Sequence, residues 1–205
     1  MRTTIRMAAM LLLLGLVSLT DMTGLVGQAH AEQPSDVVRT AVDEIMAVLR
    51  DPKYKEPGKF EEQKEHLKTL AEKFIDKQRF AQITLGRDWR RFSPAEQKEF
   101  VDLYADLVEQ TYIDRIREYT DEEVRIIGEA RTAENRAEVN TVVVSKGKEI
   151  PVVYRMHQGG GQWRVYDVLV EGVSLVMNYR SQFNNILASG SPERLLEQLR
   201  QRVRS

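Results

Sequence analysis

The 205-residue chain contains no cysteine. Disulfide staples, thiol nucleophiles and thiolate metal ligands are therefore excluded at the outset. Histidine is nearly as scarce. His30, His66 and His157 are the three present, and no two stand at the spacing of a metal-ligand motif. Neither sign of charge dominates, with 30 basic side chains against 31 acidic ones, so the strong positive surface of a nucleic-acid binder is missing. After Ala31 no apolar run is long enough to span a bilayer.

What is present begins with a leader. Arg2 and Arg6 form a basic start, Met7 to Leu19 is an apolar run, and Ala29-His30-Ala31 supplies a small-x-small site. This pattern predicts a secretory signal peptide over residues 1–31, cleaved before Glu32. The small residues are not followed by the cysteine that a lipoprotein needs. Residues 32–205 are long enough for a single domain with a real core. An exported chain that cannot form disulfides fits a bacterial periplasm best.

The stretch from Gln162 to Leu187 organises the rest. It reads as a strand running straight into a helix through Glu171-Gly172. Trp163, Val165 and Leu169 share one parity, and Tyr166, Val168 and Val170 the other, so both faces are apolar. Helical spacing then follows in Val173, Val176, Met177 and Arg180, and in Leu175, Tyr179, Phe183 and Leu187. So much apolar surface needs partners.

Upstream, the spacing predicts helices. Ser35 is placed to cap the first, over residues 36–50, with Val38, Val42, Ile45 and Leu49 as its stripe. A second covers about 59–75, its outer face charged and carrying His66. Asp76 caps a short third that Gly86 ends. Arg87 to Phe92 is a turn with two aromatics and three arginines. Ser93-Pro94-Ala95-Glu96 is a capping box that opens the longest helix, to about Tyr119. Phe100, Leu103, Leu107 and Val108 form its stripe, and Tyr104, Tyr112, Ile116 and Tyr119 an aromatic edge. From Glu123 the period becomes two. Four strands joined by short turns at 132–135, 146–148 and 159–161 make an antiparallel meander. Ser191-Pro192-Glu193 starts a last amphipathic helix. The fold class is therefore α+β: a curved antiparallel meander of four strands, or slightly more, with helices over one face.

The residues point away from an enzyme. Ser174, Asp167 and His157 could be assembled on paper into a hydrolase triad, but no nucleophile elbow accompanies them. Gly159-Gly160-Gly161 lacks the helix and lysine of a phosphate loop. No metal or cofactor is expected. A sheet with helices across one face can instead enclose an apolar pocket. Its candidate lining is Val139, Thr141, Val143, Val152, Tyr154 and Met156, with the apolar sides of the helices that start at Pro94 and after Ser174. A solid core of the same residues produces the same pattern. Burying a sixteen-carbon acyl chain in such a pocket gains roughly 12 kcal/mol.

Three blocks carry a resemblance to a known family: LGRDWRRFSPAEQKEF from Leu85, the helix with DLYADLVEQTYIDRIREY, and YDVLVEGVSLVMNYRSQF from Tyr166. Together they resemble the MlaC family, also called the toluene-tolerance or Ttg family, over nearly the whole of residues 32–205. The resemblance implies a periplasmic shuttle whose cargo is a phospholipid, its acyl chains held in an apolar cavity. It implies partners at both membranes: an outer-membrane lipoprotein complex, and the periplasmic subunit of an inner-membrane ABC transporter, which spends the ATP. The exchange maintains outer-membrane lipid asymmetry. Carried onto this chain, the resemblance places Trp89, Tyr104, Leu107, Val108, Val173, Leu175, Tyr179 and Phe183 on the helical side of the cavity. The strand residues named above form its floor. Arg87, Arg90, Arg91 and Arg180 are read either as solvated or as phosphate and partner contacts at the mouth. A hopanoid-associated branch of the family is the alternative cargo class. A non-lipid periplasmic adaptor with a solid core, and an esterase using Ser174, are the alternatives from other functional classes.

Overall fold

The computed structural model of the chain describes residues 32–117 and 122–204. The leader expected over 1–31, the side chain of Ile116, and Tyr119 lie outside them. No helix among the described residues is long and apolar enough to cross a membrane.

Helix α1 spans Pro34–Arg50. It starts one residue before the expected cap. Pro34 takes the first helical position, where its missing N–H costs nothing and its fixed φ suits the helix. The Gln33 carbonyl accepts from the Asp36 and Val37 amides. Ser35 does not cap; its backbone N–H donates to Glu129 Oε2 at 2.9 Å and ties the helix start to the sheet. Helix α2 is Phe60–Phe74 and α3 is Lys77–Leu85. Asp76 caps α3 through Oδ1, which accepts from the Arg79 amide at 2.7 Å. Gly86, at φ 57°, ends it and opens a 3-10 turn to Arg91. Helix α4, Pro94–Arg117, begins in the expected capping box. The Ser93 amide donates to Glu96 Oε2 at 2.8 Å, and the Glu96 amide to Ser93 Oγ at 3.4 Å.

The strands are β1 Glu123–Ala133, β2 Arg136–Ser145, β3 Lys148–Gly159, β4 Gln162–Val170 and β5 Val173–Ser174. They form one antiparallel sheet in sequence order. The fifth strand corrects the expectation of a strand running directly into a helix. Glu171 and Gly172, at φ 51° and 80°, make a two-residue reversal, and Val173 pairs with Val170 before the helix starts. Val173, expected on a helix, is a strand residue. Ser174 then caps helix α5, Leu175–Ser189, its Oγ accepting from the Met177 amide at 3.0 Å. Helix α6, Pro192–Arg204, closes the chain.

A bulge at Tyr166 also revises the faces of β4. Met156 pairs with Val165 but Arg155 pairs with Asp167, leaving Tyr166 unmatched. Beyond it the parity reverses. Val168 and Val170, not Leu169, share a face with Trp163 and Val165. Register places Val139 opposite Tyr154, Thr141 opposite Val152, and Val143 opposite Ile150, so the expected strand residues do share one face.

That face meets α1. Val37 and Val38 pack with Phe74, Ala137, Val139, Met156, Trp163 and Val165. A larger core joins α3, the 3-10 turn, α4, α5 and α6. Its centre is aromatic: Phe183 stands edge-on to Phe100 and Tyr104, with ring centroids 5.6 and 5.3 Å away. A third, small core gathers Val48, Leu49, Tyr54, Leu67 and Ile113. Phe183 is fully buried. Phe183→Ala should therefore lower stability by about 3–5 kcal/mol, measured as a fall in the midpoint of denaturant unfolding.

Candidate functional site

The three cores leave a cavity of about 210 Å³ where they meet. Two helices build most of it. From α4 come Val101, Tyr104, Ala105, Val108, Glu109, Tyr112 and Ile113, a run of three- and four-residue steps that marks one helix face. From α2 come Leu67, Lys68, Ala71 and Glu72, with Ile75 just past its end. Ile45 of α1, Lys77 and Phe80 of α3, Val168 of β4 and Leu175 of α5 complete the wall. Ala71 and Ala105 lie within these stripes, where larger side chains would fill the space.

Charge is confined to Lys68, Glu72, Lys77 and Glu109. Lys77 Nζ lies 2.7 Å from Glu72 Oε1. Lys68 Nζ lies 3.4 Å from both Asp106 Oδ1 and Glu109 Oε2. Partial burial opposes the charge on Lys68, but the Glu109 and Asp106 carboxylates outweigh it and hold the ammonium above the ordinary lysine pKa. Inside, burial pushes the Tyr104 phenol far above the usual tyrosine range, so the wall there stays neutral. The Tyr104 oxygen accepts from the Thr84 hydroxyl at 3.3 Å. A hydrocarbon wall with ions at its edge suits an amphiphile: tails inside, polar group outside.

Tyr104, Val108 and Leu175 line this cavity. The other expected residues do not reach it. Leu107 faces the opposite side of α4 and joins Trp89, Tyr179 and Phe183 in the aromatic core. Val139 and Met156 are buried beneath α1, and Tyr154 packs against the same cluster. Thr141 is buried and donates to the Val152 carbonyl at 2.9 Å, and Val152 is buried beside it. Val143 is half-buried away from the cavity. Val173 is 59% exposed. Helix α1, with Phe74 at the end of α2, covers the Ala137, Val139 and Met156 end of the sheet face, and Val168 is the strand residue that meets the cavity. Periodicity identified that face but not the helix lying on it. The α2 wall was missed because its stripe looks like ordinary packing; the alanines within the two stripes were the available signal.

The paper triad does not assemble. Ser174 Oγ donates to Asp167 Oδ2 at 2.7 Å, but His157 Nε2 pairs with Asp76 Oδ2 at 2.8 Å instead. Asp167 Oδ1 also accepts from the Val176 amide at 3.2 Å, so this pair is helix-start architecture. Two of the four arginines tie elements together. Arg180 donates to the carbonyls of Ile83 and Thr84 at the end of α3. Arg91 donates to the Leu187 and Gly190 carbonyls at 3.1 and 2.9 Å. Arg87 and Arg90 are exposed, and neither lines the cavity. Among the described residues no group of three or more histidines or acids could hold a metal ion.

Comparison with known proteins agrees with this architecture. The family model described as MlaC protein matches residues 39–201. The intermembrane phospholipid transport system binding protein MlaC of Haemophilus influenzae is 23% identical over 122 residues, 57% of each chain. The toluene tolerance protein ttg2D of Pseudomonas putida is 25% identical over 158 residues, 75% of this chain and 72% of that one. The phospholipid-binding protein from Ralstonia solanacearum, solved in complex with a phospholipid, superposes with a TM-score of 0.78 at 24% identity. That match covers 84% of this chain and 98% of the other.

Filling the hollow tests the cavity directly. Ala105→Phe should lower the affinity for an apolar fluorescent probe by about tenfold or more, since each 1.4 kcal/mol of lost burial is a factor of ten. Circular dichroism should show an unchanged fold.

Proposed function

Because the chain belongs to the MlaC protein family, we propose that it is a phospholipid carrier that takes acyl chains into the cavity between α2 and α4. The observation that supports this most is the cavity's lining: largely hydrocarbon, with its four ionic side chains on the neighbouring helices α2, α3 and α4. Each buried methylene contributes about 0.8 kcal/mol, so a long tail offsets the cost of leaving a bilayer. The likeness to a phospholipid-binding structure supports the same reading.

In this reading the leader directs the chain to the periplasm. There it shuttles lipid between an outer-membrane lipoprotein complex and the periplasmic subunit of an inner-membrane ABC transporter, and so maintains outer-membrane lipid asymmetry. The cargo travels unchanged. Ser174 serves as a helix cap held by Asp167, not as a nucleophile. No cofactor takes part.

Native mass spectrometry of the protein purified from a bacterial periplasm, followed by lipid extraction, tests the reading. A one-to-one diacyl phospholipid adduct is expected. A protein that stays bare after incubation with liposomes would overturn it, and a hopanoid adduct would move it to the other branch of the family. Ser174→Ala should retain lipid while losing about 1 kcal/mol of stability with the cap. A lipid hydrolysis present in wild type and absent from this variant would instead make Ser174 catalytic.

A further inference from the structure

Helices α2 and α4 face one another across the cavity, and ion pairs bridge them. Lys64 Nζ is 3.7 Å from Glu109 Oε1, and Lys68 Nζ is 3.4 Å from Glu109 Oε2 and from Asp106 Oδ1. The order of these pairs, 64 with 109 and 68 with 106, runs the two helices antiparallel. The hollow at Ala71 thus lies one turn along α2 from Lys68, and the hollow at Ala105 one turn along α4 from Glu109. An acyl chain occupying the hollow brings its head group to this bridge.

Distance decides which cation is available there. Lys77 is held by Glu72 at 2.7 Å, the length of a strong charge-assisted hydrogen bond. Both contacts of Lys68 are 3.4 Å, too long for that class. Its side chain is 34% exposed, between 16% for Glu109 and 40% for Asp106, so the ammonium is open to an incoming anion while both of its carboxylate partners stay beside it. Its two acidic partners keep the ammonium charged. A phosphate brings several acceptor oxygens to a point where the protein offers two distant ones.

Building on the carrier reading above, we infer that Lys68 receives the head-group phosphate of the cargo, and that its bonds to Asp106 and Glu109 form a latch across the cavity that this phosphate displaces. The occupant is a lipid phosphodiester. Lys68 thereby becomes the residue that separates phosphorylated lipids from neutral ones, which share the tails but lack the anion. Removing the acids frees the lysine and unties the helices, so it speeds loading.

The test uses the full mature protein incubated with vesicles containing phosphatidylglycerol or diacylglycerol, with bound lipid read by native mass spectrometry. Lys68→Gln should retain phosphatidylglycerol about tenfold less well than wild type, the scale of one lost charge-assisted hydrogen bond. Lys68→Arg should restore most of that retention. Diacylglycerol retention at equilibrium should not fall in Lys68→Gln, which also establishes that the variant is folded. Asp106→Asn with Glu109→Gln should load phosphatidylglycerol faster than wild type. Equal phosphatidylglycerol retention by wild type and Lys68→Gln overturns the head-group role alone. Slower loading by the double variant overturns the latch. Wild type that takes up neither lipid overturns this inference and the carrier reading together. Inorganic phosphate alone should leave the melting temperature of the lipid-free protein unmoved. A rise that Lys68→Gln abolishes would make this a free-phosphate site and overturn the lipid assignment.

Discussion

Asp167 buries a carboxylate where the sheet turns into a helix, and a charge there is tolerable only when its oxygens are engaged. Oδ2 accepts from the Ser174 hydroxyl, and Arg155 lies 3.4 Å from the same oxygen; Oδ1 accepts from the Val176 amide. These bonds join β4, β5 and α5 at one point. The Tyr166 bulge puts Asp167 on the same face as Ser174, and the Glu171-Gly172 reversal brings Ser174 within reach. With α5 anchored there, Leu175 enters the cavity wall, and Tyr179 and Phe183 reach the aromatic core. Loss of that anchor would release both consequences at once.

The cavity follows from how the cores divide the helices. The first half of α1 packs on the sheet and its second half in the small third core, while α3, α5 and α6 join the aromatic cluster. Helices α2 and α4 each have one stripe facing the seam between these units, and alanines in both stripes leave it unfilled. Protein interiors are otherwise close-packed, so an apolar hollow of this size lacks many of the dispersion contacts that its wall could make. A hydrocarbon ligand restores them. The aromatic core meets the cavity through Phe80 and Tyr104, while Trp89, Leu107, Tyr179 and Phe183 pack behind them and do not line it.

The ions on either side of the seam do different work from the ion pairs elsewhere on the surface. Arg180 and Arg91 satisfy carbonyls at helix ends, a fixed structural duty. The long contacts of Lys68 hold α2 to α4 without a strong bond. Weak pairs of this kind add little to stability. In the proposed carrier their value lies in being exchangeable, since such a protein must both hold and release its cargo.

Local chemistry is what the amino-acid sequence determined by itself. The capping box at Ser93, the cap at Asp76, the Gly86 stop and the short turns between the first four strands each depend on neighbours close in the chain, and each stands in the structure. The α+β class followed from their order. Of the helical residues that the family resemblance assigned to a cavity, Tyr104, Val108 and Leu175 stand in its wall, while Leu107, Tyr179 and Phe183 of the same helices do not. What tertiary structure alone decided was which surface covers which. A stripe of apolar residues has the same period whether it meets a helix, a sheet or an empty seam, because periodicity records that a face is turned from water and not what lies against it. The covering of Val139 and Met156 by α1, the bulge that reversed β4, and the pairing of Lys68 with Asp106 and Glu109 all depend on contacts between residues far apart in the chain. Those contacts exist only once the layers have packed.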